Sequence, residues 1–120
     1  MEKNNLGKML EKKEGKIPRS KDGVIVIELM KTEKYSIAYG ELLPKEENKK
    51  HRMEMQETYY FLEGEGEIII EGEKTLVKKD VMIKIKPNAE QKLVNTGKEK
   101  MKFLMVVSPP YDPSKEEVLE

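Results

Sequence analysis

Between Gly66 and Asn95 the chain is cut by turn residues into short β-branched runs, and almost no stretch is left for a helix. Ile68-Ile69-Ile70 stops at Gly72, Thr75-Leu76-Val77 stops at Asp80, and Val81 to Ile85 stops at Pro87-Asn88. Strands at this spacing predict an antiparallel sandwich or barrel, an all-β fold. Two more strands are expected upstream, Val24 to Leu29 and Tyr35 to Leu43, and a last one at Met101 to Val107. In the second of these, Tyr35, Ile37 and Tyr39 alternate with Ser36, Ala38 and Gly40, the period of a strand with two unlike faces. Gly64-Glu65-Gly66 joins two strands and opens no helix, so it reads as a hairpin turn and not as a phosphate loop.

The two ends differ from this middle. Lys and Glu dominate residues 1–22, and the one apolar cluster there, Leu6, Met9 and Leu10, has helical spacing, which predicts a short helix or a loose arm. After Ser108, the string Pro109-Pro110-Tyr111-Asp112-Pro113 cannot donate a regular ladder of hydrogen bonds. The sheet is expected to end there, and a Pro-rich tail, residues 109–120, to lie across the surface or across a partner subunit. One barrel, residues 23–108, fills the space between, since 120 residues suffice for one core without disulfides and not for two.

Composition excludes several functions. The chain has no cysteine, so disulfides, thiolate chemistry and Cys-ligated zinc are out. No apolar run approaches the roughly 20 residues that span a bilayer, and Met1-Glu-Lys-Asn-Asn leads into no apolar signal core, so no membrane partner and a cytoplasmic location are expected. Twenty-three basic residues alternate with twenty-three acidic ones, leaving no basic stripe for nucleic acid. The charge is nearly all Lys and Glu, a bias that fits either a hot environment or an AT-rich genome.

The chemistry-bearing residues are few. His51 is the one histidine. Alternate residues of a strand share a face, so His51 and Met53 go together, as do Glu57, Tyr59 and Phe61 on the strand after the turn. An interior with one imidazole and one carboxylate must resolve the charge, because burying an unpaired carboxylate costs several kcal/mol. Glu57 is therefore expected to meet a cation or a protonated His51.

The stretch from His51 to Gly66 resembles the first motif of the cupin superfamily, His-x-His, three or four residues, Glu, six residues, Gly; His51, Glu57 and Gly64 fall on its spacing. Asp80 through Asn95-Thr96-Gly97 is similar to the second motif, Gly, five residues, Pro-x-Gly-x-x-His, three residues, Asn, with Asn95 matching and Pro87-Asn88 supplying the turn. The departures are specific: Met53 replaces the second His of the first motif, Gln91 replaces the His of the second, and Asn88 or Ala89 stands for its Gly.

The resemblance implies a double-stranded β-helix, a jelly-roll barrel. It implies a ligand pocket of His51, Met53, Tyr59, Phe61 and Gln91, and a divalent transition metal, Fe, Mn, Ni or Zn, on His51, Glu57 and Gln91. Met53 is too soft a ligand to sit well with these oxygens and fits better as a gap filler. The function expected on this basis is capture of a small polar organic molecule, a sugar or carboxylic acid, by a homodimeric barrel with a weakly held ion. A metal-dependent isomerase, decarboxylase or dioxygenase, with Glu57 as proton acceptor, is the alternative. A metal-free structural or partner-binding barrel is the third.

Overall fold

The computed structural model describes residues 1–13 and 16–120. Ten strands among them form two antiparallel five-stranded sheets. The first sheet runs β1 (Ile25–Lys31), β2 (Ser36–Leu42), β9 (Met101–Ser108), β4 (Gln56–Glu63), β7 (Met82–Ile85) in spatial order. The second runs β10 (Glu116–Val118), β3 (His51–Met53), β8 (Gln91–Val94), β5 (Glu65–Ile70), β6 (Glu73–Lys78). The sheets face each other as the double-stranded β-helix expected from the strand punctuation.

Parity places the core. In β9, Met101, Phe103, Met105 and Val107 point inward, and Lys102, Leu104, Val106 and Ser108 point out. In β4 the inward set is Glu57, Tyr59 and Phe61. Tyr59 stacks on Phe61 at 5.6 Å between ring centroids, and Phe103 tilts against both at 5.4 and 5.9 Å. With Ile68, Val77, Leu93 and Ile85 these rings fill one end of the barrel. The other end, near Met53 and Val107, is partly hollow.

The apolar cluster near the N-terminus forms a helix, α1 (Leu6–Lys12), in which the Asn5 side chain accepts from the Lys8 amide and caps the first turn. Leu6, Met9 and Leu10 are half-buried, and Leu10 shares a surface groove with Ile25 and Tyr39 of the first sheet. No helix among the described residues is long and apolar enough to cross a membrane.

Two local expectations are corrected. Gly64-Glu65-Gly66 is not a hairpin turn, because β4 belongs to the first sheet and β5 to the second. It is a corner at which the chain changes sheets. Gly64 has φ of 86° and lies against the Met101 backbone, while a Cβ on Gly66 would come within 2.1 Å of the Val94 carbonyl oxygen. The true hairpin is the next one, β5 to β6, turning at Glu71 (φ 49°) and Gly72 (φ 80°).

The second correction concerns the tail. Pro109 to Tyr111 breaks the ladder as the prolines require, but the strand set does not finish at Val107. A single 3-10 turn at Pro113–Lys115, capped by the Asp112 carboxylate, redirects the chain. β10 then pairs with β3 of the same chain, Glu116 opposite Met53 and Val118 opposite His51. Glu116 to Val118 contain no proline, and the outer edge of β3 has free backbone groups to offer them.

Candidate metal centre

His51 begins β3 and points into the hollow end with 1% of its surface exposed. Its Nδ1 lies 2.9 Å from the Lys49 carbonyl oxygen, which fixes the proton on Nδ1. The lone pair of a neutral ring is thereby on Nε2. That atom faces two buried carboxylates, Asp22 Oδ2 at 3.4 Å and Glu116 Oε2 at 3.8 Å. One ligand atom from each of the three residues lies within 4.8 Å of the others.

These spacings test what the cluster is built for. A proton shared between imidazolium and carboxylate would draw the atoms to about 2.8 Å. Three ligands about 2.1 Å from a common divalent ion sit instead about 3.0–3.5 Å from one another. The Asp22 distance falls in that range, and the Glu116 oxygen at 3.8 Å would have to move inward by a few tenths of an ångström to share an ion with it. One imidazole nitrogen with carboxylate oxygens is a donor set for Mn, Fe or Zn rather than for a soft ion.

Each member is held from behind. Asp22 sits in the turn before β1; its Oδ1 accepts from the Val24 amide at 3.2 Å and from the Ser20 hydroxyl, and its Oδ2 from the Asn48 side-chain amide at 3.4 Å. Asn48 in turn accepts from the Leu93 amide at 2.8 Å, tying the turn to β8. Tyr111 donates its hydroxyl to Glu116 Oε1 at 2.7 Å, and burial and this bond push the Tyr111 pKa well up. Such supporting bonds orient ligands before an ion arrives.

Glu57 and Gln91 lie beside this cluster, joined to each other. Gln91 is the cross-strand partner of His51; its Nε2 donates to Glu57 Oε1 at 2.9 Å, and its Oε1 accepts from the Tyr59 hydroxyl at 3.4 Å. Glu57 is 3% exposed, and burial pushes its pKa up to about 7. His51 and the Gln91 bond oppose that shift, and the Asp22 and Glu116 charges add to it. Burial also drives the Tyr59 pKa well above its ordinary value, so its hydroxyl stays protonated.

The cavity at this end is about 80 Å³. By liquid-water volume that is room for roughly two or three waters, or an ion and a small group. His51, Glu57, Asp22, Glu116 and Tyr111 form its polar side; Met53, Tyr59, Val26, Ala38 and Met105 are among its other walls. Phe61 lies behind Tyr59 in the packed core and is not a wall of the cavity. Gln91 reaches the cavity through Glu57. Met53 is buried beside Met55 and Val107, in the gap-filling place.

Asp22 and Glu116 were not singled out by the sequence reasoning. The one available signal was scarcity: Asp22 is one of three aspartates, followed at once by a turn glycine. Asn95, the matching residue of the second motif, has a structural job, donating to the Leu42 and Glu99 carbonyls and accepting from the Gly97 amide. Asn88 takes the left-handed conformation, φ 67°, that the motif's glycine would take.

Comparison with known proteins gives three kinds of match. An uncharacterised protein of Methanocaldococcus jannaschii is 40% identical over 65 residues, which are 54% of this chain and 52% of that protein, so the match spans about half the length of the curated relative. A crystal structure from Thermus thermophilus superposes with a TM-score of 0.72 at 22% identity, covering 92% of this chain and all of that one. A predicted oxalate decarboxylase from Thermotoga maritima superposes with a TM-score of 0.66 at 23% identity, covering 71% of this chain and 79% of that one. Identities this low show a shared fold. Residues 38–107, more than half of the chain, match the sequence pattern of the Cupin domain, and together with the two facing sheets and the inward His51 and Glu57 this means that the chain belongs to the cupin family.

Proposed function

We propose that this barrel binds a divalent cation at its hollow end and, on the ion's open positions, a small polar organic molecule; a cavity of about 80 Å³ suits a small carboxylic acid, and a sugar would require it to open further. The observation that carries the reading is His51, whose Nδ1 is committed to the Lys49 carbonyl while Nε2 faces the buried Asp22 and Glu116 carboxylates together, at 3.4 and 3.8 Å. Without an ion, up to three buried carboxylates face one imidazole, a charge the interior tolerates poorly. A divalent ion supplies the missing charge and a Lewis-acid position open to a ligand oxygen.

A catalytic reading is favoured by one specific feature. The Glu57 carboxyl borders the cavity with its pKa pushed up to about 7, where a proton acceptor works best near neutrality. The resemblance in fold to a predicted decarboxylase is compatible with this and does not decide it. Pairing as a homodimer belongs to the same proposal. Val106 and Met82, exposed on the outer side of the first sheet, support it.

The test is metal analysis of protein purified without chelator or affinity metal, followed by thermal melts with Mn(II), Fe(II), Ni(II) or Zn(II). Wild type is expected to hold an ion or to gain several degrees on its addition, and His51→Ala to lose both responses while remaining folded. No ion and no shift with any of the four would reject the reading and leave a metal-free barrel.

A further inference from the structure

Two of the three clustered residues lie outside the stretch that makes this chain a cupin. Asp22 precedes residues 38–107 and Glu116 follows them. Glu116 reaches His51 because β10 adds to the edge of β3 in a register that turns Glu116 inward and leaves Glu117 outside, paired with Arg52. The two terminal segments also hold each other: Lys21, next to Asp22, donates its Nζ to the Pro113 carbonyl at 2.8 Å and the Glu116 carbonyl at 2.7 Å.

The docking of this tail sets many polar contacts at the surface against the burial of one carboxylate. It is held by a three-residue edge strand, by the Leu119–Lys50, Glu54–Lys115 and Tyr111–Ser36 bonds, by Lys21 and by exposed pairs of Arg52 with Glu117 and Lys92 with Glu120, and its apolar contact is that of Tyr111 on Met53, Met55 and Val107. Short edge elements with little apolar burial open readily. Docking also carries the Glu116 carboxylate into a buried place beside Asp22 and near Glu57, where like charges repel in a poorly solvated interior. A cation among them reverses the sign of that contribution. The same tail supplies Tyr111 and Glu116 as walls, so the cavity is complete only when it is docked.

We propose that the cation and the C-terminal segment, residues 109–120, bind as a unit: the ion recruits Glu116, and Glu116 with Tyr111 closes the cavity over the ion. The inference rests on the cation reading above and adds that the terminal segment is part of the site. Linkage makes the effect reciprocal, so whatever strengthens tail docking strengthens ion binding by the same factor.

Hydrogen exchange of the full chain, in EDTA and with Mn(II) alone, reads the tail directly; calorimetric titration of Mn(II) into Glu116→Gln and Glu117→Gln reads the site. With the ion at about 100 times its Kd, exchange at the Glu117 and Leu119 amides, which face β3, is expected to slow up to about a hundredfold. Glu116→Gln is expected to weaken Mn(II) binding on the order of a hundredfold. Glu117→Gln, on the same strand but facing out, is expected to weaken binding at most a few-fold, through loss of its exposed ion pair with Arg52. If wild type binds Mn(II) while tail exchange is unaltered and Glu116→Gln binds as tightly, the tail inference is overturned and the cation reading stands on His51 and Asp22. If wild type binds none of Mn(II), Fe(II), Ni(II) or Zn(II), both fall. Should Glu116→Gln fail to fold, the wild-type exchange measurement decides alone.

Discussion

The Glu57 carboxyl carries the least comfortable charge in the molecule: it is buried in β4, takes one hydrogen bond from Gln91, and burial raises its pKa to about 7. A carboxyl whose folded value lies above its ordinary value near 4.5 favours its neutral form in the fold. The stability this contributes is fully present below the unfolded value and is lost as pH rises through about 7. In the metal-free protein, melting temperature is therefore expected to fall between about pH 5 and pH 8, by an amount worth up to roughly 3 kcal/mol. Glu57→Gln keeps the shape and removes the proton equilibrium. Its melts in EDTA should show most of that slope gone and a gain of about 1–3 kcal/mol at pH 8. Equal slopes for the two proteins would mean that something other than Glu57 titrates in that window.

At the scale of elements, the chain changes sheets between β3 and β4, which lets His51 and Glu57 face one interior from opposite sheets, and it returns to the second sheet at the glycine corner between β4 and β5. Gly66→Ala places a Cβ against the Val94 carbonyl, backbone that cannot give way, and is expected to cost about 3 kcal/mol or more in urea unfolding. Gly72→Ala, at the exposed β5–β6 turn with open space around it, meets only the left-handed strain of its φ of 80° and is expected to cost about 1 kcal/mol. A pair of similar losses would refute the corner's role. The contrast also explains what the sequence could convey. Glu71-Gly72 reads correctly as a turn because the signal is local. Gly64 to Gly66 looks the same whether the flanking strands pair or part, and the deciding contact is with Val94 and Met101, far along the chain. His51 and Glu57 were legible because both sit on one motif, at a fixed spacing. Asp22 and Glu116 were not, since each is one acidic residue among twenty-three until the β10–β3 register selects Glu116 and the Ser20–Gly23 turn selects Asp22.

For the whole molecule, the two sheets bury their inner faces, while the outer side of the first keeps Met82 and Val106 exposed, with Tyr35 exposed in the turn before β2. Light scattering at micromolar concentration is expected to report about twice the chain mass of 14.0 kDa, and a clean monomer would refute the pairing. The apolar strands carry the packed core, with Phe61 and Phe103 at its centre and Tyr59 at its boundary with the cavity. The strands of residues 38–107 supply the core together with His51 and Glu57, while two of the three clustered His/Asp/Glu groups come from segments before residue 38 and after residue 107. In descent, such a division lets a shell be inherited intact while its chemistry is rewritten from the ends. Exchanging a dozen terminal residues would re-equip the same barrel for another ion or for none, and sequence likeness confined to the strands would not reveal the change.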